Sequence, residues 1–138
     1  MILVDTSGLL ALLDRGEREH RRVHRALAGR PEPLVVIDFV LAEADYLLLR
    51  RLGREAERRF VAQILEGVFL REPVTEADLR RAAETARHFH DQDIGLTDAS
   101  VMAVAERLGT RRVLTLDRRH FASFRTRKGL PLDLLPDS

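Results

Sequence analysis

The first seven residues, Met1-Ile2-Leu3-Val4-Asp5-Thr6-Ser7, decide how this chain is expected to fold. Residues 2–4 are apolar without polar alternation, which is typical of a parallel strand buried on both faces. The run ends on the carboxylate of Asp5, which is followed by the hydroxyls of Thr6 and Ser7. Open parallel sheets bind ligands at the carboxyl ends of their strands. We therefore expect Asp5 to stand at a sheet edge where a site forms.

Further short apolar runs follow, separated by segments with helical periodicity. The predicted strands after the first cover residues 34–37, 68–70, 113–116 and about 132–135. The predicted helices cover residues 9–13, 17–28, 39–52, 54–65, 75–90, 98–108 and 118–124, with Asp38 and Thr97 as caps of two of them. This alternation predicts a three-layer α/β/α sandwich around a mainly parallel sheet of four to five strands, formed by residues 1–138 as one domain. How the paired helices lie between consecutive strands stays open.

Composition narrows the classes of protein. The chain has 138 residues, of which 45% are hydrophobic and 33% are charged, an ordinary balance for a water-soluble domain. It has no cysteine, so disulfides and thiolate metal sites are excluded and a cytoplasmic location is expected. No apolar run approaches the roughly 20 residues of a membrane helix, and no secretory leader is visible. With a net charge of +1, binding to nucleic acid would depend on local basic patches.

Four acids, Asp5, Glu43, Asp98 and Asp117, are expected to share the carboxyl edge of the sheet. Glu43 lies only about 8 Å along a helix that follows strand 34–37 directly. The helix that starts at Asp98 ends just before strand 113–116, so its first turn returns to the same edge. Asp117 follows that strand as Asp5 follows the first one. The four carboxylates converge if these two strands are neighbours in a parallel sheet.

Each acid also has a simpler structural explanation, except Glu43. Asp5 and Asp117 could cap the helices after them, and Asp98 could favour a helix N-terminus. Glu43 is too deep in its helix to be a cap, and its neighbours one turn away, Phe39, Val40, Tyr46 and Leu47, are apolar or aromatic. A carboxylate on such a core-facing stripe needs a compensating cation.

Carboxylate oxygens without thiolates suit hard ions, so we expect Mg²⁺ or Mn²⁺ at these acids. The expected reaction is metal-assisted hydrolysis of a phosphodiester.

Four segments of the sequence resemble the PIN-domain nucleases, and among them the VapC-type toxins of bacterial toxin–antitoxin pairs. They are residues 1–7, the stretch Leu-Ala-Glu-Ala-Asp-Tyr-Leu-Leu at 41–48, Gly-Leu-Thr-Asp-Ala-Ser at 95–100, and Leu-Thr-Leu-Asp-Arg-Arg-His-Phe at 114–121. The order and spacing of these short motifs extend over nearly the whole chain.

The resemblance implies an endoribonuclease that depends on Mg²⁺ or Mn²⁺. The family's acidic set matches Asp5, Glu43, Asp98 and Asp117, with Asp5 and Asp98 as the direct metal ligands, and its assisting hydroxyl matches Thr6 or Ser7. The resemblance further implies an RNA substrate, a homodimer and a small cognate antitoxin. The chain departs from the family at Asp38, where serine or threonine is more usual, so whether Asp38 joins the metal site stays open.

Several other charged groups are candidate sites. We interpret His88, His90, Asp91 and Asp93 as a solvated helix end and turn, although Asp93 could contribute at the edge. We interpret His20 and His24 as surface residues, since two-ligand zinc spacing lacks a third partner. His120 fits the family pattern, with the alternative of a packing turn that points Phe121 inward. A basic patch after Asp117 could bind RNA phosphates or be merely solvated; it consists of Arg118, Arg119, Arg125, Arg127 and Lys128.

Three alternative functions share features with this sequence. An aspartate-based phosphatase would need a second aspartate at position 7, where the chain has Ser7, and a late lysine that is missing. A receiver-type α/β domain would need paired acids after the first strand and a lysine after a late strand. A PIN-like RNA-binding module without activity is disfavoured by the intact set of four acids.

Overall fold

A computed structural model describes residues 1–137 of the chain. The strands are β1 (Ile2–Val4), β2 (Leu34–Ile37), β3 (Phe69–Glu72), β4 (Arg112–Leu114) and β5 (Asp133–Leu135). The helices are α1 (Thr6–Leu13), α2 (His20–Leu27), α3 (Asp38–Arg51), α4 (Arg54–Leu65), α5 (Glu76–His88), α6 (Leu96–Leu108) and α7 (Arg118–Ser123). Among these residues no helix combines the length and the hydropathy needed to cross a bilayer.

The five strands form one parallel sheet in the order β3-β2-β1-β4-β5. β1 lies at its centre, where Leu3 is in register with Val35 of β2 on one side and with Val113 of β4 on the other. All three residues of β1 are fully buried, as the uninterrupted apolar run predicts. The predicted parallel sheet and the adjacency of β1 and β4 are therefore confirmed.

The helices that flank the sheet pack in pairs. α5 packs mainly against α6, and α4 packs against both α3 and β3. Two helices connect β2 to β3, and two connect β3 to β4. In each connection one helix packs largely on the other, which explains how four helices fit between β2 and β4. The core closes around fully buried large side chains, among them Ile2, Leu3, Phe60, Met102 and Phe121.

Several predicted helix starts are wrong by one to three residues; α2, for example, begins at His20 rather than at residue 17. α1 begins at Thr6 because Asp5 itself is the extended N-cap residue. α3 begins at Asp38 with Ile37 as N-cap, so the side chain of Asp38 is not a cap; it lies 3.4 Å from Nε of Arg71 on β3 instead. α6 begins at Leu96 after the extended residue Gly95, which places Thr97 inside the helix rather than at its cap.

One glycine brings α1 close to the sheet. A Cβ atom on Gly8 would lie 2.5 Å from the carbonyl oxygen of Leu114, the last residue of β4. Only a residue without a side chain allows this approach, which sets the start of α1 against the end of β4. The approach brings Asp5 and Ser7 next to the segment that leads from β4 to Asp117.

Candidate active site

Acidic side chains converge on a cleft of about 330 Å³ at the carboxyl edge of the sheet. Asp5 follows β1, Asp98 lies in the first turn of α6, and Asp117 is the N-cap of α7. The cleft is lined by Asp5, Thr6, Ser7, Leu10, Glu17, Glu43, Leu47, Arg51, Asp98, Leu116 and Asp117. All six residues predicted for the site from the sequence therefore line one cleft.

Hydrogen bonds fix one carboxylate oxygen of Asp5 and leave the other without a partner among the described residues. Its side chain is buried, and its Oδ2 accepts hydrogen bonds from Thr115 Oγ1 at 2.8 Å and from Ser7 Oγ at 3.2 Å. Although Asp5 occupies the N-cap position of α1, its side chain makes no capping hydrogen bond. Its Oδ1 is buried without a partner among the described residues. A buried carboxylate oxygen without a hydrogen bond is costly unless a ligand satisfies it.

The hydroxyls that hold Asp5 also fix the segment after β4. Ser7 Oγ accepts a hydrogen bond from the backbone N–H of Leu116 at 2.9 Å, and Thr115 Oγ1 accepts one from that of Asp117 at 3.0 Å. Of the two predicted assisting hydroxyls, Ser7 contacts Asp5, whereas Thr6 Oγ1 is buried without a hydrogen-bond partner among the described residues.

The role of Thr115 in holding Asp5 was not predicted from the sequence. The signal was present, because Thr115 is the polar residue inside the apolar run of residues 113–116. It is fully buried, and a buried hydroxyl needs a partner.

Asp98 is the carboxyl group most disturbed by its surroundings. Burial raises its pKa most, and the nearby charges of Asp5 and Asp117 raise it further, to about 7. Burial also raises the pKa of Asp5, and its hydrogen bonds from Thr115 and Ser7 act in the opposite direction. The repulsion between these carboxylates favours any ligand that brings positive charge between them.

His120 of α7 joins the acids. Its Nδ1 lies 2.9 Å from Oδ2 of Asp117, outside hydrogen-bonding geometry, and 3.7 Å from Oδ2 of Asp98. Asp98, Asp117 and His120 each offer a ligand atom, and these atoms lie within 4.8 Å of one another. Phe121 is fully buried, as predicted for a packing turn, but the same turn points His120 at the acids.

Glu43 lines the cleft near the start of α3, as its distance along the helix predicts, but it is not buried there. The predicted core-facing stripe around it is wrong, because Glu43 is exposed and Tyr46 is 56% exposed. The face of α3 that packs inward carries Val40, Ala44 and Leu48 instead. Glu43 therefore stands at the mouth of the cleft and needs no compensating cation for burial.

Two further charged residues of the cleft, Glu17 and Arg51, were not predicted. Arg51 lies two helical turns from Glu43 along α3, so the i, i+4, i+8 spacing of Glu43, Leu47 and Arg51 was the available signal.

Most of the remaining candidates lie elsewhere. Asp38 and Asp93 are not among the lining residues of the cleft. The predicted solvated turn is confirmed, since His88, His90, Asp91 and Asp93 are exposed, and none of them belongs to a metal-binding group among residues 1–137.

His20 and His24 are more than surface residues. His20 Nδ1 lies 2.8 Å from the carbonyl oxygen of Ala11, and His24 Nε2 lies 3.1 Å from that of Leu12. Each ring therefore donates a hydrogen bond to a free carbonyl group at the C-terminus of α1.

Residues 2–126 match the PIN domain family. The chain therefore belongs to the PIN-domain family. Related proteins include Ribonuclease VapC26 of Mycobacterium tuberculosis, 36% identical over 135 residues, which are 98% of this chain and 100% of that protein. They also include the 23S rRNA-specific endonuclease VapC20 of the same species, 34% identical over 118 residues, which are 85% of this chain and 89% of that protein.

The crystal structure of Mycobacterium tuberculosis VapC20, a sarcin-ricin loop cleaving toxin, matches with a TM-score of 0.79 and 29% identity. The match covers 87% of this chain and 92% of that chain. VapBC2 from Rickettsia felis, bound to a promoter DNA fragment, matches with a TM-score of 0.70 over 97% of this chain and 98% of that one, at 16% identity, and thus shares the fold. These findings confirm the resemblance to PIN-domain nucleases and remove the phosphatase and receiver alternatives.

Proposed function

We propose that this protein is a metal-dependent endoribonuclease and the toxin of a toxin–antitoxin pair. The observation that carries the proposal is the pair formed by Asp5 and Asp98 at the floor of the cleft. Asp5 has an unpartnered buried oxygen, and Asp98 has a pKa raised to about 7 by burial and by its acidic neighbours. A cation that binds between two such carboxyl groups relieves their repulsion, so the pair favours the binding of positive charge.

The residues present fit a hard divalent cation. Asp5, Asp98 and Asp117 would hold it through carboxylate oxygens, with Glu43 at the mouth of the cleft and His120 beside Asp117. An oxygen-dominated donor set suits Mg²⁺ or Mn²⁺. When bound, the cation supplies Lewis-acid polarisation of the scissile phosphoryl group and lowers the pKa of a water molecule.

Other side chains of the cleft fix the orientation of Asp5 and present charges to water and to the substrate. Thr115 and Ser7 hold Asp5 Oδ2, which leaves Oδ1 as the oxygen that faces a ligand. Glu43 is exposed at the cleft mouth, where its carboxylate would meet water that enters the cleft. Arg51 is a cationic side chain that lines the cleft, where it would meet a phosphate of the substrate.

RNA as the substrate is supported by the ribonuclease names of relatives that are at least 34% identical. A cognate antitoxin and a second copy of the chain are proposed as protein partners, and the cytoplasm as the place where they meet. Exposed large apolar side chains on α3, at its C-cap and on α4 support such partners; they are Tyr46, Leu49, Leu52, Val61 and Leu65.

The experiment is cleavage of RNA by the wild-type protein in Mg²⁺, in Mn²⁺ and in EDTA, beside the Asp98→Asn variant. The control variant is Asp91→Asn, because Asp91 is an exposed aspartate outside the cleft. We expect metal-dependent cleavage by the wild type and by Asp91→Asn, and none by Asp98→Asn. Equal cleavage by all three proteins would refute the role of Asp98. RNA that is bound but not cleaved in either metal would identify a binding module without activity.

A further inference from the structure

A second cavity lies at the opposite edge of the sheet from the acidic cleft. Its volume is about 520 Å³, and it is bounded by the C-terminal half of α6, the first two turns of α5 and the loop of residues 126–130. Thr110 and Arg111, which precede β4, line it as well, so it opens at the amino edge. We call it the amino-edge pocket.

The two acids of the amino-edge pocket are already neutralised within its wall. Asp78 accepts from Arg107 Nε at 3.0 Å, and Glu106 Oε1 accepts from Arg81 Nε at 2.8 Å. These pairs lower the pKa of both carboxyl groups against the opposing effect of burial, so both stay ionised and paired at neutral pH. Five cationic and two acidic residues line the pocket, but Arg107 also pairs with Glu72 and Arg127 pairs with Glu84, so the positive charge that is left lies on Arg111 and Lys128.

The excess positive charge sits on side chains that have donors to spare. Arg111 is exposed, and its side chain donates one hydrogen bond, from Nη1 to the carbonyl oxygen of Pro131. Lys128 is exposed and has no ion pair among residues 1–137. Its loop is closed by hydrogen bonds from Thr126 N to Leu130 O at 2.9 Å and from Gly129 N to Thr126 O at 2.8 Å. The cations are therefore presented by a structured turn.

Between these cations the wall is small and apolar. Ala77, Ala103 and Leu130 line the pocket, and two alanines leave room for a flat group. An anionic ligand with a flat, weakly polar body matches a cationic rim over such a wall, and a nucleotide unit has that chemistry.

We propose that the amino-edge pocket binds one nucleotide unit of the RNA substrate, with its phosphate on Arg111 and Lys128. This inference rests on the proposed ribonuclease function and adds a contact that selects among RNAs. Asp98 and Gly109 are eleven residues apart along α6 and its cap, or about 16 Å at 1.5 Å per residue. An RNA must therefore extend well beyond the cleaved bond to reach both sites.

The test compares the double variant Arg111→Gln/Lys128→Gln with the matched control Arg54→Gln/Arg58→Gln. The control removes the same charge from exposed positions of α4 that are outside the pocket. Binding of a long fluorescent single-stranded RNA is measured in EDTA at several salt concentrations, which needs no cleavage. Loss of two phosphate contacts on a single strand should reduce the salt slope by about 1.4.

A second pair of variants examines the wall. Ala77→Glu adds a negative charge to the pocket at an exposed helical position, and Ala77→Gln adds a similar volume without charge. We expect Ala77→Glu to bind the long RNA more weakly than Ala77→Gln. With Mg²⁺ or Mn²⁺ present, the Arg111→Gln/Lys128→Gln variant should show a raised KM and an unchanged kcat on the long RNA. Its cleavage of an oligonucleotide too short to leave the acidic cleft should equal that of the wild type.

Several outcomes would overturn the proposal. One is an equal salt slope for wild type, control and Arg111→Gln/Lys128→Gln. A second outcome uses AMP as a separate probe: Arg111→Gln/Lys128→Gln loses AMP binding but binds the long RNA as the wild type does. The pocket would then be a site for a free nucleotide. A third is loss of poly-glutamate binding alone, which would assign it to an acidic protein segment. Wild-type protein that binds RNA at this pocket but does not cleave it would refute the proposed activity and leave this inference standing.

Discussion

Thr115 Oγ1 donates a 2.8 Å hydrogen bond to Asp5 Oδ2 and so ties the end of β1 to the segment after β4, across 110 positions of the chain. The same hydroxyl accepts from the backbone N–H of Asp117 at 3.0 Å. One buried side chain thereby positions two acids of the cleft. Burial raises the pKa of Asp5, and the hydrogen bond from Thr115 opposes that rise and favours the charged form that a cation needs.

Replacing this hydroxyl by a methyl group should therefore weaken both stability and metal binding. We expect Thr115→Val to cost about 1–3 kcal/mol of unfolding free energy, because Asp5 and the Asp117 N–H each lose a buried partner. We also expect Mn²⁺ affinity to drop about 10–100-fold, as is usual for residues that orient metal ligands. Urea unfolding and calorimetric Mn²⁺ titration measure the two effects. Thr115→Ser, which keeps the hydroxyl, is the control, and wild-type Mn²⁺ affinity in Thr115→Val would contradict the positioning role.

The close approach of α1 to β4 makes a prediction about Gly8. In Gly8→Ala the new Cβ would lie 2.5 Å from the carbonyl oxygen of Leu114, so α1 must shift. We expect a loss of about 1–3 kcal/mol, as for other overpacked sites, together with weaker Mn²⁺ binding because Asp5 precedes α1. Urea unfolding measures the loss. Gly95→Ala, where a Cβ meets nothing within 4 Å, should cost less than about 1 kcal/mol.

The fold was predictable because its signals are local and strong. The apolar run of β1 and the short link between β2 and α3 place the acids at one edge whatever the details of packing. Gly109 ends α6 in a left-handed conformation at its C-cap, as glycine after a helix usually does. The helix starts were harder, because residues such as Asp5 and Ile37 pass from extended to helical conformation without a capping side chain that the sequence could reveal.

The site was predictable in its acids and less so in the groups that support them. Asp5, Asp98 and Asp117 follow from topology, since each lies just after a strand or in a first helical turn. Thr115 and His120 act through side-chain directions that depend on tertiary packing, and spacing along the chain does not encode those directions. The predicted position of Glu43 at the edge is confirmed, because α3 starts there. The separate argument that its burial demands a cation is contradicted by its exposure.

Asp98→Asn should be more stable than the wild type at alkaline pH in the absence of metal. The pKa of Asp98 is raised to about 7 from its ordinary 3.8, so folding favours the protonated form. Wild-type stability from this group is present below about pH 4 and is lost as pH rises toward 7. Since asparagine has no charge to lose, the difference between the variant and the wild type should grow over this range to on the order of 2 kcal/mol.

Denaturant unfolding in EDTA at pH 4.5, 6 and 8.5 measures this difference, with Asp91→Asn as the control for the change of charge alone. Saturating Mn²⁺ should remove the advantage of Asp98→Asn at pH 8.5, because the cation stabilises only a site that retains its carboxylates. If the stability difference between Asp98→Asn and the wild type is the same at all three pH values, the pKa of Asp98 is not raised by its neighbours.

The pair between Asp78 and Arg107 should supply stability that acid removes. Asp78 is buried on α5 and accepts hydrogen bonds from Arg107 and from the backbone N–H of Thr75. Burial alone would raise the pKa of Asp78, but the hydrogen bonds from Arg107 and Thr75 outweigh it and lower the pKa. The contribution of Asp78 to stability is therefore present above its ordinary pKa of 3.8 and is lost as pH falls through the lowered value.

Arg107→Ala leaves the buried carboxylate of Asp78 without its cation, which should cost about 3 kcal/mol of unfolding free energy at pH 7. The control is Arg80→Ala on α5, the helix of Asp78, because the exposed pair of Arg80 with Glu76 should contribute less than about 1 kcal/mol. In urea unfolding, the gap between wild type and Arg107→Ala should narrow as pH falls below 3.8, and a gap independent of pH would mean that Arg107 stabilises the fold through packing alone.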